Sequence, residues 1–268
     1  MFNLNGSNVV IAGPCALDSD SINLRIAGQV LESCLVNKFE YVFKASFDKA
    51  NRLSLSSPRG RGLESSIAGF KLIKDELKIP VTTDVHEASQ VNKLFDTIDI
   101  FQIPALLSRQ TDLIIECART KKVVNIKKGQ FMSWEDAVRA ADKATENGAS
   151  DVLITERGTT FGYRDLIVDF RNIHELLRSE YKFVFDATHS VQRPGGKNSR
   201  STGDRKYISS LAYAAAATGT KNFFFETHPT PTESISDGDN LLPLSNVPIF
   251  LNSIGALIEV SNKVNYFD

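Results

Sequence analysis

The sequence has almost no excess of charge of either sign. Its 31 lysines and arginines face 32 aspartates and glutamates, a formal net charge of −1. That balance gives no electrostatic reason to expect nucleic acid or an anionic membrane as a partner. Cysteine is scarce too. Cys15, Cys34 and Cys117 make three, and an odd, sparse set does not suggest a disulfide framework. Free thiols survive most simply in a reducing cytoplasm, the expected compartment. The opening MFNLNGSNVV has no basic segment followed by an apolar run, so no signal peptide is expected. No apolar run approaches about 18 residues, so no membrane span is expected. No linker, low-complexity stretch or charge block divides the chain, and one catalytic domain over residues 1–268 is expected.

What is present is ordinary globular material, 42% hydrophobic and 24% charged. Short runs rich in β-branched and aromatic residues recur at 8–12, 41–45, 81–85, 99–103, 123–127, 152–155, 183–186 and 222–226. Between them lie stretches of helical periodicity, such as 21–37, 63–77, 110–120, 133–147 and 165–180. Strands alternating with helices imply parallel pairing with crossover helices. Eight such units in about 250 residues predict an α/β fold of the closed (β/α)8 TIM-barrel type. An open doubly wound sheet would need a phosphate-binding glycine fingerprint after the first strand. Gly13-Pro14-Cys15 is not one.

The longest irregular segments, 49–62, 190–203 and 227–243, follow strands two, seven and eight. They belong to the rim where barrel enzymes keep their chemistry. Titratable and polar residues gather at the same strand ends. The first strand leads to Cys15; the second carries Lys44, Ser46, Lys49, Asn51 and Arg52. The third ends in Asp84 and His86, the fourth in Gln102 and Ala105, and the fifth in Asn125 and Lys127. The sixth ends in Glu156 and Arg157, the seventh in Asp186 and His189, and the eighth in Glu226, with Asp237 beyond.

Lys44, Lys49, Lys127 and Arg157 are cations suited to phosphate and carboxylate oxygens, and together they suggest a small polyanionic substrate. Ion pairing with Glu156, Asp48 or Asp84 is the structural alternative. Alternation sets Asn125 and Lys127 on one strand face and Lys128 on the other. A second set is Cys15, His189, Glu226 and Asp237. In a closed barrel the ends of strands seven, eight and one adjoin. A thiolate, an imidazole and two carboxylates there form a mixed site for a divalent transition metal, with zinc, iron and manganese all admissible. Cys34 and Cys117 fall in helical stretches and are expected in the core.

These residues sit in a string of motifs: IAGPCALDS (11–19), FKASFDKANR (43–52), PVTTDVHE (80–87), FQIPALLSRQTDL (101–113), NIKKGQF (125–131), TERGTTFGY (155–163), FDATHSVQRPGG (185–196) and FFETHPTPTESISDGDNLLPL (224–244). In that order they resemble the 3-deoxy-D-manno-octulosonate 8-phosphate synthase family over nearly the whole chain. The resemblance implies a barrel enzyme, usually homotetrameric, that joins phosphoenolpyruvate to D-arabinose 5-phosphate and releases phosphate, a step toward lipopolysaccharide. It implies Lys44, Ser46, Lys49, Gln102, Lys127, Arg157 and the Ala105 backbone for phosphoenolpyruvate. Asn51, Arg52 and Asp84 would serve the aldose. Cys15, where metal-independent members carry asparagine, points to the metal-dependent form with His189, Glu226 and Asp237. Lys127, Arg157, His189 and Asp237 are the expected catalytic groups.

One position departs from the family pattern: Leu53 stands where a serine normally helps to hold the aldose phosphate. Two other readings remain open here. A related synthase condenses phosphoenolpyruvate with erythrose 4-phosphate, but its Lys-Pro-Arg-Thr type segment differs from Lys-Ala-Asn-Arg at 49–52. A catalytically silent sugar-phosphate-binding barrel is the third. The 190–203 segment, with its glycines and cations, is expected to act as a lid.

Overall fold

Eight parallel strands close on themselves. They are β1 (Asn8–Gly13), β2 (Phe39–Lys44), β3 (Val81–Asp84), β4 (Ile100–Ile103), β5 (Val123–Lys127), β6 (Asp151–Glu156), β7 (Lys182–Asp186) and β8 (Asn222–His228). Each pairs with the next, and β8 pairs back onto β1, with Gly13 opposite Glu226. The computed structural model describes residues 8–52, 54–163, 165–193 and 202–264. Leu53 and positions 194–201 of the expected lid lie outside the described residues.

Strand alternation sorts side chains into two cores. Val9, Ile11, Val42, Ile100, Val123, Leu153, Val184 and Phe224 fill the barrel interior. Their neighbours along the strands, such as Val10, Phe43, Phe101, Ile126 and Phe225, face outward to a larger cluster shared with the helices. Those helices are α1 (Asp20–Val36), α2 (Leu63–Leu77), α3 (Ala88–Leu94), α4 (Thr111–Arg119), α5 (Trp134–Glu146), α6 (Phe170–Arg178), α7 (Ile208–Ala217) and α8 (Val247–Ser261). Capping fixes their starts. Ser19 and Ser133 accept from backbone amides of α1 and α5, and Glu87 with Gln90 forms a capping box on α3. Cys34 and Cys117 are buried as expected.

Two expectations need correction. The helix expected over 165–180 is shorter. Asp165–Ile167 instead pairs antiparallel with Thr159–Phe161 in a hairpin, and α6 begins only after Asp169 accepts from Arg171 N. Gly158 and Gly162 adopt φ of 88° and 71°, which glycine alone accommodates readily. The second concerns long apolar stretches. Leu244–Ser261 is, by length and composition, apolar enough to cross a membrane. A count of unbroken apolar residues misses it because Asn252, Ser253 and Gly255 interrupt the run. In the fold, Val247, Phe250, Leu251, Ile254 and Ile258 of this segment are buried, and Phe250 stacks edge-on against Phe225 of β8.

Candidate active site

The strand C-terminal ends bring the expected residues to one mouth, floored by Phe224. Its ring lies 3.2 Å from Lys127 Nζ, 5.5 Å from Lys44 Nζ and 5.8 Å from the His189 ring. Cys15 is placed by a short continuation of pairing beyond β1. Ala16 bridges Ser46, and the Ser46 amide donates to the Cys15 carbonyl at 3.3 Å. The strands approach so closely here that any side chain at Gly13 would clash with the Lys44 carbonyl.

Three of the four expected metal ligands come together. Cys15 Sγ and carboxylate oxygens of Glu226 and Asp237 all lie within 4.8 Å of one another. His189 stands at the edge of this group, with Nε2 3.8 Å from Glu226 Oε2. Its Nδ1 faces Asp186 Oδ2 at 2.8 Å. A proton on Nδ1 leaves Nε2 free to accept a ligand bond, the arrangement that outer carboxylates commonly impose on metal-binding histidines. Glu226 Oε2 is buried and has no hydrogen-bond partner. An orphaned buried carboxylate oxygen is costly, and a cation beside it would remove that cost. The donor set therefore fits a divalent transition metal.

Each cation of the mouth meets a polar partner. Lys44, 2% exposed, donates to Glu226 Oε1 at 2.6 Å and lies 3.7 Å from Asp84. Lys127, 5% exposed, pairs with Asp186 Oδ2. Lys49 donates to Ser46 Oγ at 3.1 Å, and that hydroxyl donates in turn to Asp84. Arg157 donates through Nη2 to Gln192 at 2.6 Å, while its Nε is buried without a partner. Of the pairings weighed from sequence, only Asp84 is used. Asp48 pairs instead with Arg59, and Glu156 lies 3.5 Å from Lys128. Lys128 points away from the mouth, as alternation predicted, and donates to the Met132 carbonyl and Thr159.

A polar ladder crosses the other side of the mouth. Thr155 donates to Asn125, Asn125 to Gln102, and Gln102 to Asp84, at 2.7 to 2.9 Å. Ala105 is buried in a turn directly after β4. Asn51 is exposed on the second loop. Arg52 reaches across to the eighth loop, donating to Ser236 Oγ at 3.0 Å and the Ile235 carbonyl at 2.6 Å.

Charge and burial oppose each other here. Burial pushes the Cys15 thiol well up, and Glu226 and Asp237 add to this, so it is a thiol that donates to Asp237 Oδ2 at 3.2 Å. Burial also raises Glu226, but Lys44, His189 and Lys49 outweigh it and hold the carboxyl low. Asp186 and Asp237 are likewise held far below the usual carboxylate range by neighbouring cations, against burial. Burial would lower Lys44 and Lys49, yet Glu226 beside the first and Cys15 and Glu226 beside the second leave both raised. Lys127 is the exception. Burial, helped by Lys44 and Arg157, overcomes Asp186 and brings it down to about 8.

Three further residues shape the site: Asp186, which the sequence set at the end of the seventh strand without a role, and Gln192 and Ser236, which it did not single out. Asp186 fastens Lys127, His189 and two backbone amides; its alternation with Val184 carried the signal. Gln192 and Ser236 both hold Asp237, at 2.8 and 2.7 Å. Ser236 lies in an irregular loop, and Gln192 in a two-residue strand, Gln192–Arg193, paired antiparallel with Thr202–Gly203, too short for periodicity to mark a direction.

Residues 3–259 match the family described as DAHP synthetase I. Among curated relatives, the 2-dehydro-3-deoxyphosphooctonate aldolase of Fusobacterium nucleatum is 46% identical over 239 residues, covering 89% of this chain and 86% of the relative. Proteins of the same name from Cyanothece sp. and Magnetococcus marinus are 42% and 44% identical, covering 92% and 95% of this chain and 91% and 88% of their own. With this similarity running almost end to end, the chain belongs to the DAHP synthetase I family.

Proposed function

We infer that the chain condenses phosphoenolpyruvate with D-arabinose 5-phosphate and water, giving 3-deoxy-D-manno-octulosonate 8-phosphate and phosphate. One observation carries the reading: relatives 42% and 46% identical over about nine-tenths of the chain share a single aldolase name. The product named there is a phosphorylated eight-carbon keto acid. The bond at issue joins a three-carbon pyruvyl unit to a five-carbon aldose phosphate.

Lys127 and Arg157 are proposed to hold the phosphoenolpyruvate phosphate, with Lys44, Ser46, Lys49, Gln102 and the Ala105 backbone around the rest of the molecule. Arg157 Nε, buried without an acceptor, supports this assignment. Asn51 and Arg52 are proposed for the aldose phosphate, and Asp84 for a sugar hydroxyl. The enol carbon attacks the aldehyde carbon, whose oxygen gains a proton. Water adds at the carbon bearing the phosphate oxygen and loses a proton. The resulting hemiketal phosphate expels phosphate with the C–O electron pair. Lys127 and Arg157 balance that leaving charge from fixed positions. His189 and Asp237 are proposed to position groups at the new bond. A divalent transition metal held by Cys15, His189, Glu226 and Asp237 would supply orientation of the aldehyde and its neighbouring hydroxyl, or a more acidic attacking water.

Phosphate release from phosphoenolpyruvate, assayed across a panel of aldose phosphates, tests this reading. D-arabinose 5-phosphate should support release. Release with erythrose 4-phosphate alone would establish the heptulosonate reaction instead. Binding without release on any acceptor would leave a sugar-phosphate-binding barrel.

A pH dependence follows from Lys127, which burial pulls down to about 8. Its folded value lies below its unfolded value. The folded state is therefore disfavoured below that pH and gains stability as pH rises toward the ordinary lysine range. Anion binding runs the other way, because only the ammonium attracts phosphate. The kcat/KM for phosphoenolpyruvate should fall as pH rises through about 8. A flat profile in the Lys127→Arg variant would assign the fall to this residue; the same fall in that variant would remove it.

A further inference from the structure

Asp237 is tied, through one side chain, to the arginine assigned to the phosphoenolpyruvate phosphate. Its Oδ1 accepts from Gln192 Nε2 at 2.8 Å, and Gln192 Oε1 accepts from Arg157 Nη2 at 2.6 Å. The polarity of that amide follows from its partners. A guanidinium only donates and an ionised carboxylate only accepts, so Gln192 fits between them in one orientation.

Two features make the tie consequential. Asp237 sits at φ 53°, in the left-handed region, which residues with side chains seldom occupy. With its backbone committed there, the carboxylate is directed by side-chain contacts: Gln192 on Oδ1, and Cys15 Sγ and Ser236 Oγ on Oδ2. The second feature is Arg157 Nε, buried with no acceptor. A phosphate oxygen on Nε fixes the guanidinium while leaving Nη2 on Gln192.

We propose that Gln192 is a positioning residue that couples phosphate occupancy at Arg157 to cation affinity at Cys15, Glu226 and Asp237. The proposal rests on the phosphate assignment made above for Arg157. A fixed guanidinium holds the amide, and the amide keeps Asp237 Oδ1 engaged and Oδ2 turned toward Cys15. Linkage makes the effect reciprocal, so the cation tightens phosphate by the same factor. Direct attraction between phosphate and cation adds to the coupling without Gln192. The share carried by Gln192 is what its substitution removes.

Co2+ binding to the full chain tests this without turnover, followed by the cobalt–thiolate absorption of Cys15, with and without inorganic phosphate. Phosphate should tighten Co2+ in the native protein. In Gln192→Leu that tightening should shrink by about fivefold, the low end of typical coupling. Gln192→Met keeps the length and the neutral charge of the side chain but offers Asp237 no donor. It should retain the phosphate affinity of the metal-free protein, which also reports an intact fold, and lose the same share of coupling. Equal tightening in the native protein and both variants would overturn the proposal. Failure of phosphate to bind the metal-free native protein would overturn both the Arg157 assignment and the coupling. Coupling that follows the expected pattern in a protein forming no octulosonate product would sustain Gln192's role and sink the proposed reaction.

Discussion

Cys15→Ala should bind a divalent metal more than about 100-fold more weakly than the native chain, exceeding the upper loss seen when only an outer-shell partner is removed. Activity should fall with it, and chelation of the native protein should reproduce the loss, with recovery on adding metal. The physical basis is the donor set. Cys15 Sγ is the one soft donor beside two carboxylates, and softness is what favours a transition metal over magnesium or calcium. Burial holds this sulfur as a thiol when no metal is bound. Metal binding must therefore release a proton, and affinity must rise with pH. Titration in weak buffer with an indicator dye reads that proton directly; the alanine variant should release none from this position. Cys15→Asn separates two roles. Its amide can donate to Asp237 Oδ2 as the thiol does at 3.2 Å, so it should cost less activity than alanine if the remaining site works without metal. Full activity in chelated native protein would sink the metal assignment.

The barrel was legible because its evidence is periodic. Strand positions such as 81–85 and 183–186 lie within a residue or two of β3 and β7, since each carries β-branched or aromatic residues between polar ends. Inward and outward faces followed from alternation, which separated Lys127 from Lys128. Three helices were harder. With seven residues α3 shows barely two turns, half of α7 is alanine, and α8 is apolar nearly all round, so none has a strong polar–apolar contrast. The 165–180 segment misled because Leu166, Ile167, Phe170 and Ile173 satisfy a helical spacing even though the first two belong to a hairpin. The site divided in the same way. Residues on strands, such as Lys44, Lys127 and Glu226, could be placed from register. Asp237 and Gln192 could not be oriented, because a left-handed residue and a two-residue strand show no repeat. The compensation of the cations was also hidden. Sequence shows carboxylates near the mouth, but only the closed barrel shows that Glu226 rather than Asp48 or Glu156 reaches Lys44.

Lys127→Met should lower both activity and stability, and a double substitution should separate the two. Lys127 and Asp186 form a pair with almost no exposure on either side. Removing Lys127 leaves the buried Asp186 carboxylate with only His189 and two backbone amides, so the cost should approach but not exceed the roughly 3–5 kcal/mol of a broken buried pair. Methionine fills most of the lysine's volume, so the loss reports the charge, including the ammonium over the Phe224 ring, rather than a cavity. Losing one fixed cation from the phosphate should lower kcat/KM by about 10²–10³, the range for one preorganised donor. In Lys127→Met with Asp186→Asn the buried carboxylate is gone. Asparagine still accepts from the Thr188 and His189 amides that now reach Asp186 Oδ1 at 3.0 and 2.8 Å. Urea unfolding should therefore show most of the lost stability returning. Activity should stay low, because the ammonium is absent and His189 Nδ1 no longer faces the carboxylate oxygen that fixes its proton. A double variant no more stable than Lys127→Met would show that the pair's charge is not what the single substitution disturbs. Native kcat/KM in Lys127→Met would remove Lys127 from the reaction.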